Sequence, residues 1–256
     1  MAEGSHDRLH WGGFPAQEGP HLHAGGLSAP GAGVDSPQPG IVAPGAFYAA
    51  GETVPVEEVD LADFAARRYP GLMRGMIVTV HRPWRLLSPL DSTLAWRIRE
   101  HQTTIIRAQF PEAPAATEHH AMIYAGGGWC WSQDDEFRLV HVRDYADCIL
   151  TFWDHLDWDK PTRNGLVAEC APHNGRRYGY RDIGAIYAWA VTGREGWLER
   201  VGDPEHWICS EAVCALIRSW AAADYATPGS CLEHFPQRLA NWMLAHGYRP
   251  LALRIA

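Results

Sequence analysis

Three consecutive glycines, Gly126 to Gly128, separate two apolar runs in the stretch "HHAMIYAGGGWCWSQ". Glycine adopts positive φ at little steric cost, so a triplet of this kind reverses the chain. The flanking runs then read as strand, turn, strand. Strands joined by so short a turn pair antiparallel, because parallel neighbours need a crossover of about a dozen residues or more. "GMIVTVHR" before the pair and "FRLVHVRDY" after it are further strand-like runs, and "CILTFWDHL" fits either a strand or a short helix.

Helical patterns bracket this middle. "VDLADFAARRYPGL" is a short helix capped by Asp60 or Asp63 and ended by Pro70 and Gly71. "SPLDSTLAWRIREHQTTIIRAQF" is a longer one, capped by Ser92 or Asp91, with Leu94, Ile98, Ile105 and Ile106 as an interrupted apolar stripe. "GLVAECAPHNGRRYGYRDIGAIYAWAVTG" begins helical or extended, turns at Asn174-Gly175 and enters a helix near Tyr180. In "SEAVCALIRSWAAA", Ala212, Val213, Leu216, Ile217 and Trp220 share one face, making it the clearest helix of the chain. "CLEHFPQRLANWMLAHG" adds a terminal helix closed by Gly247. This order predicts an α+β fold, an antiparallel sheet packed against helices, rather than alternating βαβ units.

The first 55 residues are different in kind. They hold 11 of the 25 glycines and 7 of the 18 prolines, with no helix or strand period. Such a segment buries too little apolar surface to offset its ordering entropy, so residues 1–55 are expected to be an extended arm and 56–256 the folded domain. Fully extended, the arm would span more than about 100 Å, enough to drape over a protein partner. Its four histidines, His21 and His23 among them, read as a solvated tail rather than a metal site. Neither a metal centre nor a cofactor is predicted.

With 30 acidic against 22 basic residues, the net charge of −8 supplies no attraction to nucleic acid. No apolar run approaches the ~20 residues of a membrane span, so none is expected. The N-terminal residues lack the basic and apolar regions of a signal peptide, so export by the ordinary route is not expected; the sequence assigns no location, and a cytoplasmic and a particle-associated (virion) chain both fit. Six cysteines without a C-x-x-C pair suggest reduced thiols, not a disulfide scaffold or a zinc ribbon.

One of those cysteines stands where chemistry is favoured. In "HWICSEAVCALIRSW", Cys209 falls at the start of the clearest helix, whereas Cys214 lies on its apolar face. The thiolate is the nucleophile, and the unpaired N–H groups and positive pole of a helix N-terminus stabilise it. The same N–H groups can hold the oxyanion formed when sulfur attacks a carbonyl. Glu211 in the first turn complements the helix dipole, a structural role. The base would come from "TEHHAMIYAGG", where His119 and His120 stand at the start of a strand and point to opposite faces. The small Ala121 shares a face with His119 and leaves room for a helix, which favours His119 over His120 as the partner of Cys209.

Taken together, these segments resemble the circularly permuted branch of the NlpC-type papain-like cysteine peptidases, which includes bacterial permuted hydrolases and relatives of lecithin:retinol acyltransferase. "GMIVTV" resembles the branch's first strand, "HHAMIYAGG" its histidine strand, "GRRYGYRDIG" its tyrosine segment, "CSEAV" its cysteine helix and "TPGSCLEHF" a late recurring segment, in family order across residues 70–236. The resemblance implies a permuted papain-like fold with Cys209 as nucleophile and His119 or His120 as base. It places Tyr178 near the oxyanion or bound substrate. The family's third polar residue would come from "WCWSQDD", as Ser132 or Gln133, while Trp129 and Trp131 either border the cleft or pack in the core.

The implied reaction is hydrolysis of an amide through an acyl-enzyme, on a peptide or peptidoglycan-like substrate such as a stem peptide. Two other readings stay open: a lipid-directed acyltransferase or thioesterase, and a non-catalytic assembly or virion-associated structural protein that keeps a papain-like scaffold.

Overall fold

The computed structural model describes residue 48 and residues 54–65, 71–82, 89–109, 111–192, 194, 197, 206–221 and 235–255. All belong to the unit Gln38–Ala256. Of the expected arm, only Tyr48, Val54 and Pro55 are described; the rest, and any partner for it, lie outside the described residues. Tyr48 is fully buried and meets Trp153 edge-to-face, with ring centroids 4.8 Å apart.

The fold is mixed α and β, a mostly antiparallel sheet packed with helices. The main sheet has seven strands: β1 (Val56–Val59), β2 (Ile77–His81), β3 (His120–Gly126), β4 (Trp129–Gln133), β5 (Phe137–His141), β6 (Ile149–Asp154) and β9 (Arg249–Ile255). Their spatial order is β1-β9-β6-β2-β3-β4-β5, and only the β1–β9 pair is parallel. A second sheet pairs β7 (Arg177–Tyr178) with β8 (His206–Trp207). The helices are α1 (Leu61–Ala65), α2 (Pro89–Gln109), α3 (Lys160–Cys170), α4 (Tyr180–Thr192), α5 (Cys209–Ala221) and α6 (Pro236–Ala245).

The glycine triplet makes the reversal its composition implies: Gly126, Gly127 and Gly128 have φ of 94, 63 and 84°. β3 and β4 pair antiparallel on either side of it. The ambiguous "CILTFWDHL" is a strand, β6, paired on both sides. The "GLVAEC" run is helical and starts earlier than its apolar residues suggest, with the Asp159 side chain accepting from Thr162 N at 2.8 Å.

Period-2 alternation divides the sheet's side chains between two cores. Ile77, Ala121, Ile123, Trp131 and Trp153 join the cluster that contains residues of α3, α5 and α6. Val78, Met122, Tyr124, Phe152 and Leu253 join the other, with Phe64 of α1. α5 buries Ala212, Val213, Leu216 and Ile217 against the first face, each larger side chain stabilising by about 1.5–3 kcal/mol. Cys214 is fully buried on this helix. Gly165 of α3 lets α5 come close: a Cβ there would lie 1.7 Å from Cζ2 of Trp220.

Candidate active site

α5 begins at Cys209 without a polar side chain at the preceding position. The Ile208 carbonyl accepts the first helical bond from Ala212 N–H, and Ile208 N–H donates to the Glu211 carboxylate at 3.3 Å. Glu211 therefore closes half of a capping box, the structural role its position suggests. The N–H groups of the first turn stay directed at the space before the helix, and Cys209, its first residue, is only 5% exposed.

Backbone N–H groups of Ser210 and Ala121 both donate to that sulfur, and the His120 side chain hydrogen-bonds it. Burial pushes the thiol up, but the imidazole of His120 and these N–H donors outweigh it and hold Cys209 below the ordinary thiol value. For His120, burial acts downward, while the sulfur of Cys209 and the Asp134 carboxylate outweigh it and hold the ring above the usual histidine value. The two opposite shifts share one cause, the attraction between the Cys209 sulfur and the His120 ring, which favours the proton on the ring over the proton on sulfur.

His120 Nε2 lies 2.7 Å from Ser132 Oγ and 3.3 Å from Asp134 Oδ1, which leaves Nδ1 for the sulfur. Ser132 Oγ donates to Asp134 Oδ1 at 3.2 Å, and the Tyr145 hydroxyl donates to the same oxygen at 3.0 Å. Tyr145 also stacks on the His120 ring, with centroids 5.8 Å apart. The ring is thus clamped on its face and at its far nitrogen. Tyr178, at the end of β7, hydrogen-bonds Cys209, and burial followed by the neighbouring sulfur keeps its hydroxyl protonated well above the ordinary range.

The preference for His119 is reversed. His119 precedes β3, its Nδ1 accepts from Arg82 N at 3.3 Å, and burial together with His120, Arg82 and Arg99 holds its ring well below the usual value. Ala121 does join the α5 side of the sheet, as its size suggests. The sulfur, however, is bound by a strand N–H, and strand N–H groups point within the sheet plane rather than above a face. The β3–β4 ladder ends at the pair Met122–Ser132, one residue before Ala121, so that N–H is left for the thiolate. At a strand end, alternation between faces does not decide which ring meets the sulfur.

Other candidate residues are also placed. Ser132 is at His120, whereas Gln133 turns away and donates from Nε2 to the Arg176 carbonyl at 3.1 Å. Trp131 is a core residue stacked on Phe137 at 5.4 Å, and Trp129 is 44% exposed against His141, so neither borders the cysteine. Asp134 and Tyr145 were not anticipated. Register carries the signal for Asp134: Met122 faces Ser132 across the glycine turn, so continuing the hairpin by two residues sets His120 opposite Asp134.

A cavity of about 380 Å³ opens onto the sulfur, lined by Ile98, His101, Tyr178, Ile183, Ile208 and Phe235 among others. A larger, charged groove of about 780 Å³ shares Tyr178 and Tyr180 with it and includes Asp135, Glu136, Arg138 and Arg177. No family model matches the chain, and no curated protein matches its sequence.

Proposed function

We propose that this protein is a Cys-His hydrolase that cleaves amide or ester carbonyls through an acyl-enzyme, on a permuted papain-like fold. The observation that carries the reading is the His120 ring bonded to the Cys209 sulfur at the tip of α5, with its own far nitrogen anchored on Ser132 and Asp134. An ordinary structural cysteine has no need of a clamped imidazole and two convergent N–H donors.

In the first half-reaction the thiolate attacks the carbonyl carbon, and the S–C bond forms. The oxyanion is held by N–H groups at the α5 tip and by the Tyr178 hydroxyl. The tetrahedral centre collapses, the C–N or C–O bond breaks, and imidazolium 120 gives its proton to the leaving amine or alcohol. Water then attacks the thioester while His120 takes its proton; the C–S bond breaks and the thiolate returns. Ser132, Asp134 and Tyr145 are positioning residues for the ring. The amide that the family resemblance implies is one in a peptidoglycan stem peptide.

The test is trapping of the acyl-enzyme. Intact mass after mixing with 4-nitrophenyl esters or with muropeptides should show one acyl adduct on Cys209, absent in Cys209→Ala. Turnover that persists in Cys209→Ala, or adducts spread over other residues, would refute the reading.

A further inference from the structure

The chemical class of the acyl group is legible in the cavity. This step rests on the hydrolase reading and narrows it. Cys209 lines the cavity, which makes it the space adjoining a group bonded to the sulfur after the first half-reaction. Much of its wall is apolar, from α2 (Ile98), α4 (Ile183), the residue before α5 (Ile208) and the start of α6 (Phe235 and Pro236), while Arg97, His101, Gln102 and His119 also line it. Its volume of about 380 Å³ lies toward the small end of ligand pockets.

The side for the leaving group is assigned from His120 and from the charged groove that shares Tyr178 with the cavity. His120, which protonates it, is not among the cavity's lining residues, and its partner Asp134 is followed directly by Asp135 and Glu136 of the charged groove. The cavity therefore belongs to the acyl side of the scissile bond. Of the polar residues that share the lining, Ser210 lies next to the nucleophile. Ser210 is fully buried and lines the cavity beside Cys209, yet its Oγ has no hydrogen-bond partner among the described residues. As the second residue of α5, Ser210 has no preceding helical turn to bond. A buried hydroxyl left open beside a nucleophile is a recognition element awaiting its partner.

We propose that the acyl group transferred to Cys209 is a medium-length apolar one that carries a hydrogen-bonding atom near its carbonyl, the chain packed against Ile98, Ile183 and Phe235 and the polar atom on Ser210.

Gly184 supplies a clean perturbation. It lines the cavity from α4 at an exposed position, and a Cβ there meets nothing within 4 Å, so the site has room for a side chain at the cavity's edge. Leucine also has the better helix propensity, which favours folding of the variant. The probes are 4-nitrophenyl acetate, hexanoate and 3-hydroxyhexanoate, with a muropeptide as the charged arm.

In the wild type, kcat/KM should rise at least about tenfold from acetate to hexanoate and about tenfold more with the 3-hydroxyl. Gly184→Leu should remove or invert the acetate-to-hexanoate ratio. Ser210→Ala, which keeps the backbone N–H on the sulfur, should bring the hydroxyhexanoate-to-hexanoate ratio to about one. A flat length profile with Cys209 still acylated overturns this inference and leaves the hydrolase reading standing. So does a muropeptide that outperforms the apolar esters, or either variant keeping the wild-type ratio. Failure of every probe to acylate a Cys209 that still alkylates would overturn both.

Discussion

Removing the His120 ring should do more than weaken the Cys209 thiolate; it should reverse the direction of its shift. The protein contains its own controls. Cys130 and Cys170 are fully buried without an imidazole at the sulfur, and burial pushes both thiols far above the ordinary range. Cys209 is buried almost as deeply at 5% exposure, yet its thiol lies below the ordinary value because His120 and two N–H groups counter the burial. In His120→Ala the N–H groups remain but the largest opposing contribution is gone. An unperturbed thiol is about 0.3% ionised at pH 6, so a variant at or above that value holds almost no thiolate there. Nucleophilicity falls with basicity along a Brønsted slope of about 0.4–0.5, so each tenfold loss of thiolate costs about threefold in rate. The expected result is a drop of about tenfold or more in Cys209 alkylation at pH 6, closing by pH 10. The assay is iodoacetamide labelling across pH 5–10, read by peptide mapping at Cys209, with His119→Ala alongside. His119 meets Arg82 N rather than the sulfur, so its removal should change the pH 6 rate less than about threefold. Parallel profiles for wild type and His120→Ala, or a larger effect from His119→Ala, would refute the ion-pair argument.

Asp134→Asn removes the carboxylate that helps hold His120 above its usual value; the alkaline limb of kcat/KM should move to lower pH and kcat fall by about tenfold to a hundredfold, measured as a pH–rate profile. Ser132→Ala should leave Nε2 only the 3.3 Å contact to Asp134 and lower kcat by about tenfold with KM little changed, read from steady-state kinetics. Glu118 is fully buried, and burial raises its carboxyl from 4.5 to about 7 against hydrogen bonds from Thr79 and Thr117. Between those values the folded state binds more protons than the unfolded one, so stability falls as pH rises from 4.5 through 7, by about 3 kcal/mol in all. Urea midpoints at pH 5 and 8 should show that loss in the wild type and little of it in Glu118→Gln. Gly165→Ala should displace Trp220 and destabilise by about 1–3 kcal/mol in urea unfolding, an effect that disappears in a Trp220→Ala background.

Most elements whose pattern is local were legible. The glycine triplet, the strand "IVTV" and the helix from Cys209 each announce themselves within a dozen residues. β9 did not. Its run "RPLALRI" contains Pro250, which demotes a strand in sequence, yet Pro250 stands opposite Trp153 near the start of β9, between β1 and β6 in the sheet. Nor did Tyr48, which lies in a Gly/Pro-rich stretch. Its backbone N–H donates to Asn241 Oδ1 at 2.9 Å and its carbonyl accepts from Gln237 Nε2 at 2.7 Å, partners about 190 residues away that no local window contains.

The site divides along the same line. Cys209 is readable because helix-start chemistry is local, and His120 was offered as one of two neighbours. Choosing between them needed a fact about where a ladder stops, namely that β3 and β4 cease pairing after Met122–Ser132. That same ladder has predictive content the residue types lack. Counting outward from the turn alone slips by one residue, because a bulge between Tyr124 and Gly126 shifts the register; continued from the pair Met122–Ser132, the count sets His120 opposite Asp134. A carboxylate chosen by register, rather than by similarity to a family's usual amide or acid, is the one beside the ring. If Asp134→Asn and Gln133→Ala were compared on the pH profile of kcat/KM, only the first should move the alkaline limb. Gln133, committed to the Arg176 carbonyl, should act on folding alone.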